Sequence, residues 1–136
     1  MPALRLLVWA GVGLCLLAPR GAFPQEAQSG PKFYTVVDGR ADQRTLNGYR
    51  RYHAGCNHCH GANGDGSTFA TSLIDPVLPL DDFMRSVLDG KTDGNLVMNG
   101  FRNDPNFAPY LTDIYAYLQA RADGALGRGR PPKLQP

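Results

Sequence analysis

Beyond residue 60 the chain has no cysteine and no histidine. That argues against structural zinc, which normally needs a second, distant pair of ligands. A thioredoxin-like redox pair needs a strand–helix–strand setting, and none is evident. Charge of one sign is not in excess. Lys+Arg number 14 against 12 Asp+Glu, and setting aside Arg5 and Arg20 of the N-terminal leader leaves 12 against 12, so nothing favours nucleic acid. Internal repeats are absent. No apolar run is long enough to span a bilayer comfortably: the longest, Leu6 to Ala18, has the length of the apolar part of an export signal. A length of 136 residues allows one domain.

Against those absences stand five residues, Cys56-Asn57-His58-Cys59-His60. They spell C-x-x-C-H, the sequence at which haem is attached through two thioethers. Two thiols on one helical turn can add across the two vinyl groups of a porphyrin, and the next side chain, His60, then lies under the iron. A plain disulfide between Cys56 and Cys59 would leave His60 without a role. Zinc would have to draw on Cys56, Cys59 and His53, His58 or His60 alone.

The N-terminus reads as a signal peptide over 1–22, with a cut somewhere in 18–27. Cys15 falls in its apolar run and leaves with it, so the mature thiols are both in the motif. A retained, uncleaved anchor is the alternative. Residues 23–41 read as a leader, 42–123 as the main domain and 124–136 as a solvated Gly/Arg/Pro tail.

Phe33, Tyr34, Val36 and Val37 precede the turn signal Asp38-Gly39. They suit a short strand or, preferably, a segment draped over the core. From Asp42 a helix is expected, capped by Asp42 or Thr45, with Leu46, Tyr49, Tyr52 and His53 on one face and running straight into the motif. Gly61, Gly64 and Gly66 then permit close approach to a macrocycle. A second helix opens at Asp81-Asp82, with Phe83, Met84, Val87 and Leu88 on one face, and stops at Gly90. Lys91 to Asn106 reads as a long loop with Met98 in its middle. Pro109 starts the last helix, with Leu111, Ile114, Tyr115, Tyr117 and Leu118 as its stripe. The expected fold is all-α, with three main helices around one covalently bound haem.

What covers the second face of the iron decides function. His53 and His58 are too near the attachment point to cross over. Met84 on a helix face suits packing, whereas Met98 in a loop suits a ligand, so Met98 is the preferred distal ligand. Met84 or an open iron position is the alternative. A peroxidase-like enzyme needs distal acid–base residues, and no histidine is free to serve.

From Leu46 to Arg121 the chain resembles a small class I c-type cytochrome. Gly48 and Tyr52 stand eight and four residues before Cys56, where that family packs a glycine and an aromatic against the last helix, here Tyr117. The run Gly48-Tyr49-Arg50-Arg51-Tyr52-His53, the run Gly66-Ser67-Thr68-Phe69-Ala70 and the stretch from Ala120 to Pro131 are similar to periplasmic cytochromes associated with methanol metabolism and PQQ-dependent alcohol dehydrogenases. Two departures stand out. Thr71 occupies the place of a proline whose carbonyl often meets the proximal imidazole, and Asn99 rather than proline follows Met98. The resemblance implies a periplasmic single-haem electron carrier, not an enzyme. A PQQ-dependent alcohol dehydrogenase would be the donor and an oxidase or another cytochrome the acceptor. A haem-based small-ligand binder or sensor is the second possibility.

Overall fold

The computed structural model describes residues 31–135. The expected signal peptide, its cut site, Cys15 and residues 23–30 of the leader lie outside the described residues. In chain order the elements are β1 (Val36–Val37), β2 (Arg40–Ala41), α1 (Gln43–Ala54), α2 (Asn57–His60), α3 (Leu80–Asp89), β3 (Lys91–Asp93), β4 (Leu96–Met98), a 3-10 turn (Ala108–Tyr110) and α4 (Leu111–Ala122). Among the described residues no helix is long and apolar enough to cross a membrane.

The crossing of α1 and α4 is the centre of the core. The Asp42 carboxylate accepts from the Thr45 N–H at 2.9 Å and starts α1. Thr45, Leu46, Gly48 and Tyr52 are its buried side. α4 buries Leu111, Ile114, Tyr115, Ala116, Tyr117, Leu118 and Ala120, so it is enclosed almost all round. The helices touch backbone to backbone at Gly48, where a Cβ would lie 1.8 Å from the Asp113 carbonyl oxygen. Flanking that contact, the Tyr117 ring packs on Tyr49 and Tyr52 at centroid distances of 5.5 and 5.4 Å. Arg44 and Asn47 both donate to the Asp113 carboxylate, at 3.2 and 2.8 Å. Gly48 and Tyr52 therefore meet the last helix as the resemblance implied.

Both readings of the leader are realised. Phe33 lies edge-on to Tyr115 at 5.4 Å, and its N–H donates to the Gln119 side chain at 2.8 Å. Val36–Val37 then pairs antiparallel with Arg40–Ala41 across Asp38-Gly39, both with positive φ (50° and 72°), as a tight hairpin turn requires.

Three expectations need correction. The fold is not all-α with three main helices, because a short fourth helix and two two-stranded sheets are present. Residues 91–106 are not one long loop: Lys91–Asp93 and Leu96–Met98 form a hairpin, closed by Gly94 with φ of 57°. Nor is the tail solvated throughout. Leu126 is buried, its N–H donating to the Ala120 carbonyl at 3.0 Å. Farther on, the tail pairs with Ala41, whose N–H donates to Pro132 at 2.9 Å and whose carbonyl accepts from Leu134 at 2.8 Å. The free edge at Ala41 gives an extended, proline-bearing segment backbone partners that its composition does not advertise.

Candidate functional site

α1 does not run straight into the motif. It ends at Ala54, and Gly55 leaves the helix (φ −158°, ψ −51°) at a place where only glycine fits, since a Cβ would sit 2.7 Å from the buried Phe107 ring. The chain turns helical again at Cys56 (φ −65°, ψ −35°). Cys59 and His60 both donate their N–H to the Cys56 carbonyl, at 3.3 and 2.9 Å, so both sulfurs rise from one turn. Both are free thiols, Cys56 half-buried and Cys59 exposed. Burial pushes the Cys56 thiol up to about 11.

The three histidines have different surroundings. Nδ1 of His58 turns back to the Gly55 carbonyl at 3.0 Å. His53 stacks on Tyr49 at 4.3 Å, and burial lowers its pKa. The Nδ1 of His60 lies 2.8 Å from the Thr71 carbonyl oxygen. A carbonyl only accepts, so Nδ1 carries the proton and the Nε2 lone pair is left for a metal. Thr71 thus offers the His60 ring a backbone carbonyl at the place where the resemblance puts that of a proline.

Between His60 and Thr71 the loop is knitted to itself. The Gly66 N–H donates to the His60 carbonyl at 2.9 Å, the Leu73 N–H to Gly64 at 2.8 Å, and the Tyr52 hydroxyl to Gly61. A Cβ on Gly61 would lie 2.5 Å from the Gly66 oxygen, and one on Gly66 would lie 2.8 Å from the Ser72 nitrogen. These backbone contacts, with φ values of 78° and 87° that suit no other residue well, account for glycine at both positions.

Met98 closes β4, opposite Lys91, and is half-buried. Two glycines pin the base of its hairpin to the end of α3. A Cβ on Gly90 would lie 2.5 Å from the Met98 oxygen, and one on Gly100 would lie 2.6 Å from the Leu88 oxygen. The Phe101 N–H then donates to Val87 at 2.9 Å. Met84 is half-buried on α3 beside buried Phe83 and Val87. Gly100 and Phe107 were missed by sequence reasoning. A glycine two residues after Met98 was an available signal for the first; nothing pointed to the second.

Several apolar side chains between residues 69 and 97 have little protein cover. Phe69, Leu78, Leu96 and Val97 are 64%, 41%, 50% and 67% exposed, and Leu73, Ile74 and Val77 are only partly covered. Burying such a side chain fully is worth about 1.5–3 kcal/mol. Two thiols on one turn, an imidazole with an oriented free Nε2, a thioether on a pinned hairpin and uncovered apolar surface together fit a covalently attached haem.

Comparison with models of protein families finds no match. Relatives are nonetheless clear. Over 115 residues the chain is 44% identical to cytochrome c-553I of Paracoccus denitrificans, covering 80% of this chain and 51% of that one. It therefore spans about half the length of that relative. Cytochrome c-555 of Methylococcus capsulatus is 33% identical over 112 residues, covering 80% of this chain and 85% of that one. The crystal structure of the c-type cytochrome XoxG from Methylobacterium extorquens AM1 superposes with a TM-score of 0.64 at 37% identity, over 79% of this chain and 76% of that one. The chain belongs to the class I c-type cytochromes. It has their fold, and membership implies covalently bound haem c.

Proposed function

We propose that this chain is a periplasmic electron carrier with a single haem, held by thioethers from Cys56 and Cys59, with His60 as proximal and Met98 as distal iron ligand. The observation that carries the reading is the His60 ring, oriented at 2.8 Å by the Thr71 carbonyl and set beside two free thiols on one turn. Bound haem supplies a one-electron couple, and no catalytic residue is needed. The chain's own part is to aim Nε2 of His60, hold the Met98 thioether on its pinned hairpin and keep water off the apolar rim. A thioether ligand favours the reduced form and so raises the potential.

A PQQ-dependent alcohol dehydrogenase, in methanol metabolism, is the donor we favour, with an oxidase or another cytochrome as acceptor. Support comes from the resemblance of the Gly48–His53 and Gly66–Ala70 runs, and from similarity to c-553I and XoxG. Complexes of this sort are small and short-lived. The export-like N-terminus supports a periplasmic location.

Met98→Ala is expected to abolish the far-red charge-transfer band of the oxidised protein and lower its potential, while Met84→Ala leaves both in place. The reverse pattern would show the ligand choice to be wrong. A parent protein without the band would favour a small-ligand binder with an open sixth position. Stopped-flow reduction by a purified PQQ-dependent alcohol dehydrogenase from the same source tests the partner.

A further inference from the structure

The C-terminal segment touches the molecule at three separate places. Near its start it is anchored on α4, where the Arg121 guanidinium donates to the Leu126 carbonyl at 3.0 Å and Leu126 is buried. Near its end it pairs with Ala41 on both sides, through Pro132 and Leu134. Between those anchors it grips the loop that follows the haem motif. The Gly129 N–H donates to the Asn63 side-chain oxygen at 2.9 Å, and Arg128 pairs with Asp65 at 2.5 Å. Arg121 reaches the same loop at the Asn63 carbonyl, 3.4 Å away. With both ends held, the middle of the strap is a short span whose Gly129 N–H is fixed to the Asn63 side chain.

The gripped loop is the one that sets the His60 ring. Gly64, next to Asn63, accepts from the Leu73 N–H at 2.8 Å and from the Ser72 hydroxyl at 3.2 Å. Gly66, next to Asp65, returns a bond to the His60 carbonyl at 2.9 Å. A Cβ on Gly66 would lie 3.1 Å from the Thr71 carbonyl carbon, so the two backbones are in contact there. Thr71 then offers its oxygen to Nδ1 of His60. An unbroken series of short contacts thus leads from strap to imidazole: Gly129 and Arg128, Asn63 and Asp65, Gly64 and Gly66, Thr71, His60.

We propose that the strap tunes the axial imidazole, with Asn63, Arg128 and Gly129 as positioning residues that hold the Thr71 carbonyl against the His60 ring and thereby set the haem potential. The inference rests on the haem reading above. The Arg128–Asp65 pair is exposed, and such a pair contributes about 0–1 kcal/mol, so the neutral Gly129–Asn63 bond and the two anchored ends carry most of the constraint. A tight bond from Nδ1 to a carbonyl makes the ring a stronger donor, which stabilises oxidised iron. Loosening it therefore raises the potential.

The test uses the full-length holoprotein, Asn63→Ala, and a truncation that removes residues 128–136 but keeps the Leu126 anchor. Two quantities are read: solvent exchange of the His60 ring N–H by NMR in the reduced protein, and the ferric-to-ferrous ratio at a fixed applied potential. We expect exchange to speed up at least threefold in both variants. The ratio should fall at least threefold, about 28 mV at 59 mV per tenfold for a one-electron couple. Asn63→Asp, which keeps the acceptor oxygen, should return exchange to the parent rate. A merely structural strap would lower the denaturation midpoint and leave both readouts alone. Smaller changes in exchange, or a ratio that holds or rises, overturn the proposal. A parent protein that never binds haem would instead sink the haem reading itself.

Discussion

Replacing Gly48 by alanine tests the helix crossing on which the site is built. The added methyl would lie 1.8 Å from the Asp113 carbonyl oxygen, against 3.4 Å or more for an ordinary contact, so α1 and α4 must part by about 1.6 Å. The clash is with backbone, which cannot rotate out of the way. A gap of that size forfeits well over a quarter of the dispersion energy across the contact, and Tyr52, Leu111, Ile114, Tyr117 and Leu118 are all fully buried near it. Overpacking costs about 1–3 kcal/mol, and the upper end applies here. Alanine gains back up to about 1 kcal/mol as a better helix former. The clash wins. We expect a net loss of about 2 kcal/mol and a Tm lower by about 8–16 °C. Urea denaturation followed by circular dichroism, with Gln43→Ala at an exposed position of α1 as control, measures the difference. A Gly48→Ala protein within 0.5 kcal/mol of the parent, or more stable than it, would refute the reasoning.

Tyr117 is fully buried and its hydroxyl has no partner among the described residues, so Tyr117→Phe should stabilise the protein by about 1 kcal/mol in the same assay. Burial pushes Tyr117 up to about 12, and burial with the Asp123 hydrogen bond does the same for Tyr34. Both groups keep their protons in the folded chain after the unfolded chain has lost them near pH 10, so stability falls as pH rises from about 10 to 12. Tyr117→Phe should flatten that fall, and a slope unchanged by it would count against the buried phenol. In haem-free protein, alkylation of Cys56 should be slow at neutral pH and rise about tenfold per pH unit, levelling near 11. A rate that levels near pH 8.5, the ordinary thiol value, would contradict its burial.

Much of the site could be read from the sequence because its chemistry is local. Cys56, Cys59 and His60 fall within five consecutive residues, and spacing alone puts both sulfurs on one turn. Gly48, Tyr52 and Tyr117 were legible through a family resemblance, and their packing follows from it. Long-range contacts were not legible. Position 55 has room only for glycine because Phe107 arrives from a segment more than fifty residues away, and no local pattern announces that ring. The hairpin around Met98 was hidden because its strands are three residues each, both largely exposed, so alternation gives no signal. The strap from Gly124 onward has the composition of a solvated tail. It is ordered by partners at Ala41, Asn63 and Asp65 that a one-dimensional reading cannot bring near it.

The bond pattern at the motif is open to one direct measurement: the mass of the peptide carrying residues 56–60, taken from protein exported and matured with a haem-attachment system. The expected result is a single haem on that peptide, bonded to both sulfurs, with neither Cys56 nor Cys59 open to alkylation. A colourless protein in which both thiols take up the alkylating reagent would contradict it.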